Sequence, residues 1–78
     1  MKVYKKFLER GYRVEVTQDD IEYTWSNHDT SDHEMVVIKF DIEDEKVSIR
    51  FYHVDEELSF DMMSLIVEQI KEIENGEL

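Results

Sequence analysis

Cysteine and proline are missing from this chain of 78 residues, glycine appears only twice, and acids outnumber bases by twenty to nine. Each shortage excludes something. Without cysteine there is no disulfide, no thiolate zinc site and no thiol nucleophile. With glycine confined to Gly11 and Gly76, no glycine-rich loop can cradle a phosphate. No proline, repeat or low-complexity tract marks a linker, so the chain reads as a single domain over residues 1–78. No apolar run is long enough to span a bilayer, and Lys2, Lys5 and Lys6 stand where a signal peptide carries its apolar segment. The expected location is the cytoplasm, with no membrane partner.

Negative charge is what the chain has in excess. The formal net charge is −11 and unevenly spread, since Met1 to Arg13 is net +4 and the remainder −15. A field of that sign repels DNA, RNA and anionic membranes and steers towards basic partners, so direct nucleic-acid binding is disfavoured. Hydrophobic residues at 41% and aromatics at 12% belong to a globular chain rather than a disordered one. A domain of this size hides only about 60% of the surface of its unfolded chain, so its core must be thin.

Apolar spacing defines the elements. Val3, Tyr4, Phe7 and Leu8 share one helical face, and Gly11 is placed as a left-handed stop. From Tyr12 the period becomes two: Tyr12, Val14 and Val16 alternate with polar residues, as do Ile21, Tyr23 and Trp25, with Thr17 to Asp20 as the turn. Pairing Val16 with Ile21 aligns Val14 with Tyr23 and Tyr12 with Trp25 on one face. In a second hairpin, pairing Ile42 with Val47 across Glu43 to Lys46 aligns Phe40 with Ile49, Ile38 with Phe51 and Val36 with His53. A last helix from about Ser59 carries Met62, Met63, Ile66, Val67, Ile70 and Ile73 on one broad face. Ser59 caps it, Asp61 suits the positive end of its dipole, and Gly76 lies past its end. The predicted fold is α+β, in two layers: a four-stranded antiparallel meander with the N- and C-terminal helices packed on one face, in the order α-β-β-β-β-α.

The irregular piece is Ser26 to Glu34, which contains "HDTSDHE". A catalytic triad needs members converging from separate rigid elements, and neighbours on one loop do not converge, so no catalytic residue and no enzyme is expected. His28, Asp29, Asp32, His33 and Glu34 offer ligands for zinc or nickel. Five-residue histidine spacing without a helix or an orienting partner is a weak signal, so a solvated loop is preferred and no metal or cofactor is expected. His53 falls on the inward face of the fourth strand as a half-buried, hydrogen-bonded residue. Met62 and Met63 read as core filler.

On the opposite face of the sheet the same registers set Val37 opposite Tyr52 and Met35 opposite Val54, an apolar patch where solvent is expected. Lys39 opposes Arg50 there, which is unfavourable unless Glu22 lies across from Lys39. In a meander the turns after the first and third strands share one end of the sheet. Asp19, Asp20, Asp41, Glu43, Asp44 and Glu45 therefore gather at that end. Asp29, Asp32 and Glu34 gather at the other with Asp55, Glu56 and Glu57. Twelve extended residues from Asp44 to Glu56 separate the two clusters by roughly 35 to 40 Å. Carboxylates held on rigid turns can replace phosphates, or the acceptor edge of guanine, before the Arg and Lys of a nucleic-acid reader.

A short helix, then "GYRVEV" with its turn "TQDD", then "MVVIKFDIEDEKVSIRF" and an acidic helical end resemble the small acidic phage-encoded anti-CRISPR proteins. The likeness is to the compact type that occupies the site through which Cas9 reads its protospacer-adjacent motif. It spans most of the chain and rests on size, charge and element order. It implies a DNA mimic whose turn acids, here Asp19, Asp20 and Glu43 to Glu45, enter the basic DNA-reading cleft of a CRISPR effector in a bacterial host cell. The longer loop at Ser26 to Glu34 and the single C-terminal helix depart from that pattern. The expectation is a non-enzymatic inhibitor of a basic nucleic-acid-binding protein. The alternative is a structural or regulatory interaction module that forms a homodimer through Met35, Val37, Tyr52 and Val54.

Overall fold

The first apolar face becomes α1 (Val3–Glu9), followed by β1 (Arg13–Val16), β2 (Asp20–Asn27), β3 (Glu34–Asp41), β4 (Lys46–Tyr52) and α2 (Phe60–Glu74). These elements come from a computed structural model that describes residues 2–29 and 33–77. The strands form one antiparallel sheet in the order β1-β2-β3-β4, and both helices contribute to the core on one of its faces. The α+β architecture is the one the periodicity predicts.

Each helix stops at a glycine that supplies the left-handed conformation. At Gly11 (φ 84°) the Gly11 N–H donates to the Leu8 carbonyl and the Tyr12 N–H to that of Phe7, while the Tyr12 ring meets Phe7 edge-on at 5.8 Å. Gly76 (φ 68°) closes α2 in the same way, with Gly76 N–H on Ile73 and Glu77 N–H on Glu72. Both are helix terminations in which the two residues after the cap satisfy the last free carbonyls.

The first hairpin has the register expected of it, Val14 facing Tyr23 and Val16 facing Ile21. The second departs by two residues: Phe40 faces Val47, Ile38 faces Ile49 and Val36 faces Phe51. The cause is the chemistry of the turn. The Asp41 carboxylate accepts the Asp44 N–H at 2.9 Å, and Glu45 takes a positive φ of 54°, so Asp41 pairs with Lys46 and Ile42 becomes a turn residue. A two-residue slip keeps every side chain on its face but changes every neighbour. It also removes His53 from the strand. His53 lies beyond β4 at φ 58° and is exposed, which corrects its expected inward, half-buried position.

β2 runs to Asn27 and β3 begins at Glu34, its direct partner, so the irregular piece is shorter than Ser26 to Glu34. Asp32, expected in an acidic end and in a ligand set, lies outside the described residues.

Phe7 of α1 stacks on Tyr23 at 3.8 Å, and Phe40 meets both rings edge-on. Around them Ile21, Ile38 and Leu65 complete the buried centre. At seven residues α1 is too short to persist alone, and no side chain of its own caps it. α2 provides what it lacks. Glu72 accepts the N–H groups of Lys2 (2.8 Å) and Val3 (3.1 Å), while Lys6 meets Glu68 at 2.9 Å and Arg10 holds both oxygens of Asp61 at 2.6 and 3.0 Å.

This arrangement rotates α2 away from the face expected of it. Its buried residues are Leu65, Ile66, Gln69 and Glu72, whereas Met63 and Val67 are 46% and 45% exposed, so Met63 is not core filler. Met62 does pack on the core. The rotation lets Gln69 accept the Tyr23 hydroxyl and donate to Glu72 at 3.0 Å. Among the described residues no buried side-chain nitrogen or oxygen lacks a partner.

Candidate partner-binding site

The turn between β1 and β2 is built around Thr17. Its hydroxyl donates to the Asp20 carboxylate at 2.9 Å and accepts the Asp20 N–H at 3.1 Å, and its own N–H donates to the Asp20 carbonyl at 2.9 Å. The β3–β4 turn is built around Asp41, as described above. A backbone hydrogen bond from the Ile42 N–H to the Asp19 carbonyl, 2.9 Å long, joins the two turns side by side. The expected gathering of acids at this end of the sheet is therefore present, with a backbone hydrogen bond between the loops that carry them.

The six carboxylates at this end are not equivalent. Asp20 and Asp41 face each other across β2 and β3, a like-charge pair that is unfavourable by itself. Lys39 offsets it, with its Nζ 3.5 Å from Asp20, and Lys46 stands opposite Asp41 on the far side. Asp20 and Asp41 are thus half-buried and hold the turns. Asp19, Glu43, Asp44 and Glu45 are exposed, and among the described residues their carboxylates have no hydrogen-bond or ion-pair partner. Four carboxylates on two linked turns are left facing solvent.

At the other end, Glu34 accepts from Asn27 Nδ2 at 3.2 Å, and the Asn27 side-chain Oδ1 accepts the Asp29 N–H at 3.0 Å. Asp55, Glu56 and Glu57 are exposed in the connection from β4 to α2. The seven residues of β4 span only about 23 Å, and the chain bends at His53, so the two acidic ends lie closer than twelve extended residues would set them. The molecule measures 40 × 22 × 18 Å.

The outer sheet face differs from the expected patch. Val37 stands opposite Arg50, not Tyr52, and Met35 opposite Tyr52, not Val54. Val54 leaves the sheet and packs against the core. Glu22 does lie across from Lys39, whose other neighbour is Ser48 rather than Arg50. The apolar area is therefore narrowed to Met35, Val37 and Tyr52, with Arg50 and Lys39 beside it. The His28 and His33 rings meet edge-on with centroids 5.5 Å apart, and among the described residues no three His, Asp or Glu side chains form a metal-holding group.

One feature escapes the sequence pattern. Between α2 and the β3–β4 hairpin runs an open groove of about 420 Å³, floored by Phe40, Ile42, Val47, Ile70 and Ile73. Asp41, Glu45 and Glu74 rim it, with Lys46 as the one basic residue. Ile42, apolar in an otherwise acidic turn, is the sequence signal for it.

No family model, curated protein or solved structure matches the chain. Among the described residues, no helix is long and apolar enough to cross a membrane.

Proposed function

We propose that the protein is a non-enzymatic inhibitor that binds a basic nucleic-acid-binding protein and excludes its nucleic acid by presenting carboxylates in place of phosphates. The observation that carries this reading is the backbone hydrogen bond between Ile42 and Asp19, because it sets two separate acidic turns side by side. The link holds the two turns beside each other through their backbones, and charge-assisted pairs from Arg and Lys to the carboxylates they carry are stronger than neutral hydrogen bonds. Asp19, Glu43, Asp44 and Glu45 make the contacts, while Asp20 and Asp41 hold them in place. Asp55, Glu56 and Glu57 extend the negative field at the other end. By resemblance the partner is a CRISPR effector, such as one that reads duplex DNA, and the site of action is the bacterial cytoplasm.

The test is capture from a bacterial lysate by the wild type and by a variant carrying Glu43→Gln, Asp44→Asn and Glu45→Gln. The wild type is expected to retain a basic nucleic-acid-binding protein at low salt, to lose it at high salt, and to lose it to added duplex DNA. Retention of the same proteins by the triple variant, unchanged in amount and salt dependence, would defeat the mechanism.

The homodimer reading through Met35, Val37 and Tyr52 is weakened by the register. The apolar area is smaller, and two molecules of charge −11 repel.

A further inference from the structure

The groove beside the acidic turns has no role in charge mimicry, and its composition points to a distinct recognition element. Its floor is apolar, its rim is mainly acidic, and it shares Glu45 and Asp41 with the β3–β4 turn. Phe40 at its base is buried, but the rest of the floor is open to solvent: Val47, on the outer edge of the sheet, is 37% exposed, and Ile70 and Ile73 are only partly covered. A volume of 420 Å³ falls in the range of sites that hold a bound group. We propose that this groove anchors one large apolar side chain carried on a basic segment of the partner protein, with the neighbouring Lys or Arg residues of that segment resting on Glu45 and Glu74.

Charge decides between the occupants. A second copy would bring another −11 to an acidic rim and is repelled. A nucleic acid is excluded on the same ground. A segment with an apolar anchor and basic flanks satisfies floor and rim together, and buried anchors surrounded by a polar rim dominate most protein interfaces. This inference rests on the reading of a basic partner given above and adds to it. Imitation of a polyanion alone makes binding vanish with salt, whereas an apolar anchor supplies a component that salt does not screen.

The experiment titrates isotope-labelled protein, followed by amide NMR, with four probes. The first is a short peptide with a central tryptophan between lysines and arginines, and the second is the same peptide with alanine in place of tryptophan. The third is an oligo-arginine of equal charge, and the fourth is N-acetyltryptophanamide. The tryptophan peptide is expected to bind at least about tenfold more tightly than the alanine peptide, and to keep that advantage at high salt. Its shifts should map to residues 40–47 and 70–74, and Val47→Asn should remove most of the advantage while Tyr52→Ser leaves it intact. Equal affinity for the tryptophan, alanine and oligo-arginine probes overturns the anchor and leaves the polyanion reading standing. Failure of all the basic probes to bind removes both readings. Binding of N-acetyltryptophanamide as tightly as the peptide replaces the proposed occupant with a small apolar ligand. Because the decisive comparison changes the peptide rather than the protein, it does not depend on how well a groove variant folds.

Discussion

Glu72 is a carboxylate buried at 5% exposure in a chain already rich in repulsion, and its position is explained by what it accepts. Two amides at the start of α1 and the Gln69 side chain converge on it. Glu72→Ala is expected to leave these donors without an acceptor and to cost about 2–4 kcal/mol, read by urea unfolding. A loss below about 0.5 kcal/mol would show that water replaces the carboxylate. The same network sets an alkaline limit. Burial pushes the Tyr23 hydroxyl well above the usual phenol range, with the Glu72 charge adding to the effect. A proton acceptance constant raised by folding means that the neutral form is the one the fold favours. The contribution is complete below about pH 10, where an unfolded tyrosine titrates, and is lost as pH rises through the higher folded value. Stability should therefore fall above about pH 10. Tyr23→Phe should flatten that fall while costing about 1–3 kcal/mol at neutral pH, because the Gln69 oxygen loses its donor. Burial raises Tyr12 as well, so part of the slope remains in the variant.

Among the elements, the helix stops and the second hairpin show what a pattern of residue types reveals and what it conceals. A Cβ at Gly11 would meet Trp25 at 3.5 Å, an ordinary contact, so Gly11→Ala is resisted by its φ of 84° rather than by space. The expected cost is about 1–2 kcal/mol, measured as a shift in the thermal midpoint. Gly76→Ala should cost less, because its φ of 68° lies within the left-handed well that other residues can enter and the last turn of α2 can fray. Both stops were legible because glycine after an apolar helical face has few other roles. The first hairpin was legible because its apolar residues align in only one way across Thr17 to Asp20. The second was not, since Ile42 looks like a strand residue and two registers place the same side chains inward. The Asp41 side chain decided between them through a bond to the Asp44 amide, which apolar spacing does not encode. The rotation of α2 was hidden for a related reason. Gln69 and Glu72 are polar, so apolar spacing does not mark them, and they are buried because Tyr23 and α1 provide their partners. At the candidate site, the clustering of acids followed from the meander alone. The division into engaged Asp20 and Asp41 and free Asp19, Glu43, Asp44 and Glu45 did not, because it depends on where Thr17 and Lys39 reach.

For the whole molecule, the net charge of −11 acts on folding as well as on binding. The three ion pairs, Lys6–Glu68, Arg10–Asp61 and Lys39–Asp20, lie at partly exposed positions among the described residues, where such pairs contribute little. Screening the general repulsion should outweigh screening these pairs. The thermal midpoint at neutral pH is thus expected to rise from low to moderate sodium chloride, and a fall would show that the pairs dominate. The same salt that steadies the fold should release a polyanion-reading partner, so stability and capture are expected to move in opposite directions.

The carboxylate that completes α1 lies 70 positions further along the chain than the Lys2 amide it accepts. A ribosome exposes the first helix long before it delivers residue 72. A contact of such sequence separation closes late, because the intervening loop must first be organised. α1, synthesised before α2, is consequently consolidated late, and a nascent chain halted before α2 carries an unfinished α1.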